Sequence, residues 1–300
     1  MLKSYIKQII VTRKEFDARL ATEQSRVAAL ENNLLHTRQA LDEGLSAISP
    51  SLTACWGALE ALSKDHIRVC RALELTYALQ QESHLLRLCS QLASKSVNLI
   101  FDVGANTGQY ARSLLEHGYG GRIVSFEPLS SAYEQLTVSC QEFSQWEVAE
   151  RFALGETRAE TQLNVSDNSY SSSILEMLPA HLEAAPDSHY VGQETVKVLP
   201  LDDVAGQHSK DGDVLFIKLD VQGFEKQVLT GGRGTLSQAV GLQTELSIVP
   251  LYAGQALLPE MIGFIAKSGF YLWDVIPGFS DPATGKLLQV DGIFFRENVG

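Results

Sequence analysis

Two glycines and two acidic residues have the spacing of a ligand site. Asp102 stands near the end of an apolar run, residues 98–103, and Gly104 and Gly108 bracket the turn GANTG that follows. Glycines in such a turn let the backbone approach a ligand closely. Glu127, 23 residues after Gly104, ends the next apolar segment, where a carboxylate can accept hydrogen bonds from both ribose hydroxyls. The pattern predicts a site for a ligand that carries a ribose.

The form of this turn favours S-adenosylmethionine over a dinucleotide. The turn lacks the third glycine of the GxGxxG pattern, and Asp102 stands two residues before its first glycine. The methionine end of S-adenosylmethionine needs an anion near its ammonium group, which Asp102 would supply, and free backbone amides near its carboxylate. Because Glu127 also fits an NAD site, a nucleotide-dependent oxidoreductase that uses the same turn stays open as an alternative.

A second group of residues, Lys218 and Asp220, stands at the carboxyl end of a later apolar run, residues 213–219. Methyl transfer to a hydroxyl needs a group that positions the nucleophile and removes its proton, and we assign that role to Asp220. Lys218 faces the same side of the strand. A buried cation there needs an anion, for which Asp220, Glu225 and Glu245 are the candidates. Lys218 is either catalytic or structural, and Glu245 either orients the substrate or pairs with Lys218.

Three acidic residues, Asp220, Glu245 and Asp291, carry the oxygen ligands that a divalent cation prefers. Their positions show no compact ligand spacing, and the seven histidines are dispersed along the chain. We therefore predict no bound metal.

Alternating strands and helices must position these residues. After residue 98, apolar runs alternate with helical stretches, which predicts a mostly parallel sheet with ligand sites at the carboxyl ends of its strands. The predicted strands cover 98–103, 122–126, 146–154, 213–219, 241–248, 269–273 and 290–296, and the first helices cover 109–117 and 130–142.

An insertion, residues 156–212, is longer than an ordinary crossover. Its runs 160–165 and 194–199 predict extra strands, added beside the sheet, that roof the active site. Acceptor specificity is expected to lie in this insertion and in the loop 277–285. Within the insertion, Asp202 begins a helical stretch and is predicted to cap it.

Residues 98–300 resemble the FkbM family of S-adenosylmethionine-dependent methyltransferases. Nine segments match in order: FDVGANTGQY, FEP, ALG, NSYSSS, LDDV, IKLDVQGFE, VLTGG, TEL with PLY downstream, and QVDGIFF. The resemblance implies an α/β fold with a Rossmann-like class I methyltransferase sheet, mostly parallel with an antiparallel last strand. It also implies S-adenosylmethionine as methyl donor and O-methylation of a hydroxyl on a sugar, glycolipid or secondary metabolite, with N-methylation left open.

Together with the glycine turn and the acidic strand end, the matching segments predict one set of cofactor contacts. These are Asp102, Gly104, Ala105, Asn106, Thr107, Gly108, Tyr110, Glu127, Pro128, Leu154, Gly155 and Ser172. Gln222 departs from the family pattern, in which this position is often Glu. The departure weakens any role that needs a charge there.

Residues 1–95 are predicted to form a helical interaction region. Apolar residues recur there at every seventh position, namely Leu20, Val27, Leu34, Leu41 and Ile48. Such a seam packs a helix on a partner, as in a short coiled coil or a helical hairpin. A second apolar stripe runs from 52 to 92, and the stretch 92–98 is expected to link it to a methyltransferase domain, residues 96–300. We expect homo-oligomerisation or partner docking through these helices.

Charge and composition limit the partners. Residues 1–97 hold 12 Lys and Arg against 10 Asp and Glu, whereas residues 98–300 hold 12 against 26. This acidic part opposes nucleic-acid binding and favours an uncharged small-molecule or glycan hydroxyl acceptor. No apolar run approaches the roughly 18 residues of a membrane span and no signal-peptide pattern is seen, so the chain is expected to be cytoplasmic. A coiled-coil scaffold with a vestigial cofactor domain is the non-enzymatic alternative.

Overall fold

The computed structural model describes residues 25–39 and 84–297. The chain divides into two compact units, Met1–Leu86 and Arg87–Gly300. This boundary lies earlier in the chain than the one expected at residue 95.

In the first unit, helix α1 covers residues 25–39. It contains two of the five heptad positions: Val27 is half-buried and Leu34 is 44% exposed. The other three heptad positions and most of the second apolar stripe lie outside the described residues. The coiled coil therefore stays a prediction.

The described part of the second unit contains ten strands in two sheets. The strands are β1 (Leu99–Val103), β2 (Arg122–Phe126), β3 (Trp146–Val148), β4 (Ala153–Leu154), β5 (Ala159–Ser166), β6 (Tyr190–Leu199), β7 (Leu215–Leu219), β8 (Gly241–Ser247), β9 (Tyr271–Pro277) and β10 (Gln289–Phe295).

The larger sheet has the strand order β3-β2-β1-β7-β8-β10-β9. Strand β10 runs antiparallel to both of its neighbours, and the other neighbouring pairs are parallel. This confirms the predicted mostly parallel sheet with an antiparallel last strand. The central strands β1 and β7 are buried along their whole length, which accounts for their near-continuous apolar sequences. Only Asp102 and Lys218 interrupt those sequences.

The smaller sheet has the order β4-β6-β5 and belongs mainly to the insertion, whose two predicted strands are confirmed by β5 and β6. The prediction of one strand over 146–154 is wrong. The amide of Ala149 still donates to the carbonyl of Ser125 in the large sheet, but the chain then bends at Arg151 and pairs β4 with β6. Because β6 lies far along the chain, the local pattern does not show that the strand ends and the chain changes sheet.

Helix α2 covers residues 84–94. Within the second unit, its Leu88 and Leu92 are buried. The prediction of a linker that begins at Leu92 is therefore wrong, because the helix continues to residue 94 and buries its apolar face. The remaining helices are α3 (Gln109–Glu116), α4 (Ser130–Ser139), α5 (Pro179–Ala184), α6 (Leu201–His208), α7 (Glu225–Gly231), α8 (Arg233–Gln238) and α9 (Leu258–Lys267).

Asp202 does not cap the helix in which it stands. Helix α6 has Pro200 at its N-cap and no side-chain cap. The Asp202 carboxylate instead accepts hydrogen bonds from the amides of Gly234 (2.9 Å) and Thr235 (2.7 Å), in the first turn of α8. The side chain thus joins two helices that pack together.

Across residues 25–39 and 84–297, none of the helices has both the length and the apolar character needed to cross a membrane.

Candidate active site

A cavity of about 400 Å³ opens where the carboxyl ends of β1, β2, β7 and β8 meet. Its volume lies within the roughly 300–1,000 Å³ that small-molecule sites occupy. Ser169, Tyr170 and residues 172–174 of the insertion line one side. Because parallel strands bring their carboxyl ends to one edge of a sheet, residues far apart in the chain meet here.

Gly104 makes the closest backbone approach in the site. Its φ is 75°, and a Cβ there would lie 1.8 Å from the carbonyl oxygen of Asp220. Gly104 therefore allows the turn after β1 to lie against the chain that leaves β7. This contact places the predicted cofactor turn beside the predicted base.

Gly108 has a packing role. Its φ is 92°, and a Cβ there would lie 2.4 Å from the ring of Trp146. The residue allows α3 to begin close to β3. Neither Gly108 nor Thr107 lines the cavity.

The backbone amides of the turn are engaged, so the prediction that they are free is wrong. Those of Gly104 and Ala105 both donate to the carbonyl of Phe126, at 3.0 and 3.1 Å. The next three amides donate to the Glu127 carboxylate (2.7 Å), the Asn106 side chain (2.8 Å) and the Ala105 carbonyl (2.8 Å). The turn folds back on the end of β2, which satisfies its first three amides, and the last two are satisfied within the turn itself.

Glu127 is held rigidly at the wall of the cavity. Its Oε2 accepts from the amide of Asn106 (2.7 Å) and its Oε1 from the amide of Leu129 (2.8 Å). Burial raises the pKa of this carboxyl to about 7, although both amides oppose the rise. Each oxygen keeps a lone pair, so the ionised carboxylate can accept two further hydrogen bonds from a ligand.

Asp102 is fully buried and does not line the cavity. Its Oδ2 accepts from the hydroxyl of Ser125 (3.1 Å), and its Oδ1 lies 3.3 Å from the Nζ of Lys218. The two residues are directly opposite each other on β1 and β7. The predicted contact between Asp102 and a ligand's ammonium group therefore needs correction: the carboxylate faces Lys218.

Lys218 is shared between two carboxylates. Besides Asp102, its Nζ lies 3.5 Å from the Oδ2 of Asp220 and 5.2 Å from the ring centre of Tyr110. Burial opposes the charge, but the two carboxylates outweigh it and raise the pKa of Lys218 above its ordinary value. The ammonium group therefore stays charged. Of its three predicted partners, only Asp220 lies within ion-pair distance.

Glu225, another predicted partner of Lys218, has a different role. Its Oε1 accepts from the amides of Val221 (3.2 Å) and Gly223 (3.1 Å). The carboxylate thus holds the loop that follows β7, and burial raises its pKa to about 7.

Asp220 and Glu245 are joined by the side chain of Gln222. The Nε2 of Gln222 donates to the Oδ1 of Asp220 (2.7 Å) and to the Oε2 of Glu245 (3.0 Å). All three residues line the cavity, and the side chain of Asp220 is 36% exposed. Residue spacing alone does not reveal Gln222 as a site residue. A non-glycine residue with positive φ, 52°, is a backbone feature that residue spacing does not show.

Glu245 and Asp291 lie directly opposite each other on β8 and β10. Burial and the nearby carboxylates of Asp220 and Asp291 raise the pKa of Glu245 well above its ordinary value. Gln222 and Gln289 both donate to Oε2 of Glu245, which leaves Oε1 as the position for a proton. Among the described residues, no group of three or more His, Cys, Asp or Glu is arranged to hold a metal.

The insertion contacts the glycine turn directly. The side chain of Asn106 donates to the Ser169 hydroxyl (3.4 Å), and that of Gln109 donates to the Tyr170 hydroxyl (3.0 Å). Ser172 also lines the cavity, and its hydroxyl accepts from the amide of Ser166 (3.1 Å). The predicted position of the insertion at the active site is thus observed.

The structure brings most of the predicted site residues to one cavity. Those that line it are Gly104, Ala105, Asn106, Tyr110, Glu127, Pro128, Leu154, Ser172, Lys218, Asp220 and Glu245. Asp102, Thr107, Gly108 and Gly155 do not. A Cβ at Gly155 would lie 2.6 Å from Val198, so this glycine allows close packing of β4 on β6. Tyr170, Gln222 and Gln243 also line the cavity and were not predicted.

The sequence of the second unit matches a known family. A family model described as the methyltransferase FkbM domain matches residues 102–272. No curated protein matches the sequence.

Solved structures of three methyltransferases are similar to this chain. One is the methyltransferase FkbM from Methylobacillus flagellatus KT, which is 17% identical to this chain. The matched region covers 65% of this chain and 43% of the Methylobacillus chain, with a TM-score of 0.41. Magnesium protoporphyrin IX methyltransferase from Synechocystis PCC 6803, solved with bound SAM, is 12% identical (72% and 80% coverage, TM-score 0.39). An S-adenosylmethionine-dependent methyltransferase from Mesorhizobium loti is 11% identical (66% and 90% coverage, TM-score 0.38). This chain thus spans less than half the length of the Methylobacillus protein.

Proposed function

This chain belongs to the FkbM methyltransferase family, and from that premise we propose that its cavity binds S-adenosylmethionine and directs the methyl group to a hydroxyl of a sugar, glycolipid or secondary metabolite. Membership in this family favours methyl transfer over the oxidoreductase alternative. The donor, the acceptor class and the residue roles below are proposals.

The single observation that carries the proposal is the placement of Glu127. Its carboxylate stands at the end of β2, held by two backbone amides, with its remaining lone pairs available to the cavity. Two adjacent hydroxyls of a ribose match a carboxylate of this kind. Phe126, Phe152 and Leu163 provide an apolar wall in the same cavity, which suits the flat face of adenine.

Asp220 is the proposed general base. When bound, S-adenosylmethionine supplies an electrophilic methyl group on a sulfonium sulfur. Asp220 would accept the proton of the attacking hydroxyl as the new O–C bond forms, the S–C bond breaks and sulfur keeps the electron pair. Lys218 holds this carboxylate in place.

Hydrogen-bond acceptors dominate the part of the cavity around Asp220. Glu245 and Asp291 lie there, and the amide protons of Gln222 are already donated to carboxylates. A ligand that donates hydrogen bonds, such as a hydroxyl-rich compound, fits this lining better than a phosphorylated one. This supports a neutral hydroxyl acceptor.

The test is transfer of a labelled methyl group from S-adenosylmethionine into glycan, glycolipid and small-molecule fractions of a cell extract. The proposal expects label in one fraction with wild-type protein and none with Asp220→Asn. Label released as an N-methyl product would contradict O-methylation. Equal labelling by the two proteins would refute the assignment of the base.

We place self-association or partner docking in the N-terminal unit. Helix α1 exposes Leu30 (65%), Leu34 (44%) and Leu35 (50%). An amphipathic helix buries such a stripe on another surface, and the seven-residue repeat through Val27 and Leu34 suits a second helix.

A further inference from the structure

We propose that Gln222 is a positioning residue, whose amide holds Asp220 and Glu245 in one fixed arrangement so that Asp220 faces the methyl acceptor. The inference rests on the proposed role of Asp220 as the base. Gln222 is also the residue that departs from the family pattern, in which this position is often Glu.

The backbone around Gln222 is tightly specified. Gln222 and Gly223 have consecutive positive φ values of 52° and 95°. The hydroxyl of Ser173, from the insertion, donates to the carbonyl of Gln222 at 2.7 Å, and Glu225 accepts from the amides on either side. A non-glycine residue is held in this region only when its surroundings determine it. The loop therefore presents the Gln222 side chain in one direction.

Every hydrogen-bonding atom of that side chain is used. The NH₂ group donates to Asp220 and Glu245, and the carbonyl oxygen accepts from the hydroxyl of Tyr252 at 2.7 Å. Two carboxyl groups require the donor end of the amide, which sets its orientation. Tyr252 is 1% exposed and its ring packs edge-on against His181, so it cannot turn away easily.

The amide occupies the space between two groups that would otherwise repel each other. A carboxylate at this position would offer only acceptors to Asp220 and Glu245, and would need a proton or a cation to stay there. The neutral amide of Gln222 donates a hydrogen bond to each carboxyl group and needs no added proton or cation. Gln222 thus joins three segments around the acceptor end of the cavity: the loop after β7, strand β8, and the chain that follows β8.

The experiment compares Gln222→Glu, Gln222→Asn and Asp220→Asn in the labelled-methyl assay with the extract fraction that wild-type protein labels. Gln222→Glu adds an acceptor and a charge. Gln222→Asn keeps an amide and a residue type that tolerates positive φ, but is one methylene too short to reach both carboxyl groups. Gln135→Glu, an exposed change on α4, is the control for an added charge.

We expect both Gln222 variants to lower the rate at saturating S-adenosylmethionine by at least about tenfold, the effect of one lost hydrogen bond to a charged group. The KM for S-adenosylmethionine and the Kd for S-adenosylhomocysteine should change less than about twofold, since Gln222 lies at the acceptor end. The acid limb of the pH–rate profile should move to higher pH in Gln222→Glu, because a third carboxyl group favours protonation of its neighbours. A variant that only lost folded protein would lower the rate without moving that limb.

Three results would overturn the inference: unchanged rates in both Gln222 variants, an acid limb that stays in place in Gln222→Glu, or loss of S-adenosylhomocysteine binding comparable to the loss of rate. Failure of the base assignment is seen separately. It would appear as full activity in Asp220→Asn, whatever the Gln222 variants do.

Discussion

At Lys218, one buried cation connects the core of the sheet with the cavity. Its Nζ lies within 3.5 Å of an oxygen of both Asp102, which is inaccessible, and Asp220, which faces the cavity. Asp102 therefore acts on the site through Lys218. A substitution at Asp102 should therefore affect the site by changing the position of Asp220, because Asp102 itself does not line the cavity.

Lys218→Met should destabilise the protein strongly. It leaves the buried Asp102 carboxyl without its cation, a loss that costs about 3–5 kcal/mol for a buried pair. Thermal and denaturant unfolding measure the effect. The double variant Lys218→Met with Asp102→Asn should recover part of the stability, since it also removes the unpaired charge. A double variant less stable than Lys218→Met alone would contradict the pairing.

At the scale of elements, the turn after β1 packs directly against the loop after β7. Gly104 is where they meet, because a Cβ there would strike the Asp220 carbonyl oxygen at 1.8 Å and its φ of 75° suits glycine. The glycine turn and Asp220 can lie side by side because Gly104 has no Cβ.

Gly104→Ala should displace these two elements together. We expect a lower melting temperature and a Kd for S-adenosylhomocysteine raised by at least about tenfold, the equivalent of about 1.4 kcal/mol. Differential scanning fluorimetry and calorimetric titration give the two values. Gly120→Ala is the control, because a Cβ at Gly120 meets nothing within 4 Å. Equal effects of the two substitutions would show that the contact at Gly104 is not required.

The elements themselves are largely predictable because apolar runs between glycines and prolines are a local signal. Strands β1, β2 and β7 follow from such runs, and the alternation within 160–165 and 194–199 reveals β5 and β6. The break between β3 and β4 is not predictable in this way, because β4 leaves the large sheet to pair with β6, a strand distant in sequence.

The contacts of the site are less predictable, because they depend on register and backbone direction. The pairing of Asp102 with Lys218 follows from their register across β1 and β7, which no local pattern contains. The engaged amides of the glycine turn depend on how the turn folds over β2. Gln222 owes its role to a positive φ. The first two cases depend on a partner that is distant in sequence, and the third depends on a backbone conformation.

At the scale of the whole molecule, buried carboxyl groups should make stability depend on pH. Burial raises the pKa of Glu127 and of Glu225 to about 7. Between their ordinary range and that value, the folded chain binds protons that the unfolded chain has released, so stability falls as pH rises. The free energy of unfolding should be larger at pH 6 than at pH 8, by roughly 1 kcal/mol for each group.

Denaturant unfolding at the two pH values checks this, and both values lie above the pI of about 5.0. Glu127→Gln should lower the difference by roughly 1 kcal/mol, because it removes one of the carboxyl groups whose pKa burial raises. Greater stability at pH 8 in the wild-type protein would contradict the burial of these carboxyl groups.

The N-terminal unit should determine the oligomeric state. Val27→Asp with Leu34→Asp places two charges on the apolar stripe of α1, and should reduce the mass measured by light scattering. Asn32→Asp, on the opposite face of α1, is the matched control and should leave it unchanged. A mass that is the same for wild type and both variants would refute self-association through this helix.

The central claim is that Glu127 holds the ribose of S-adenosylmethionine while Asp220 acts on the acceptor, and calorimetric titration of S-adenosylhomocysteine into the full chain tests it most directly. We predict one-to-one binding that weakens about tenfold or more in Glu127→Gln, through loss of charged hydrogen bonds, and weakens as pH falls below about 7, where Glu127 takes up a proton. Asp220→Asn should bind as wild type does, and NAD should give no heat. Tight NAD binding without a response to S-adenosylhomocysteine, or equal loss of binding in Glu127→Gln and Asp220→Asn, would contradict the account.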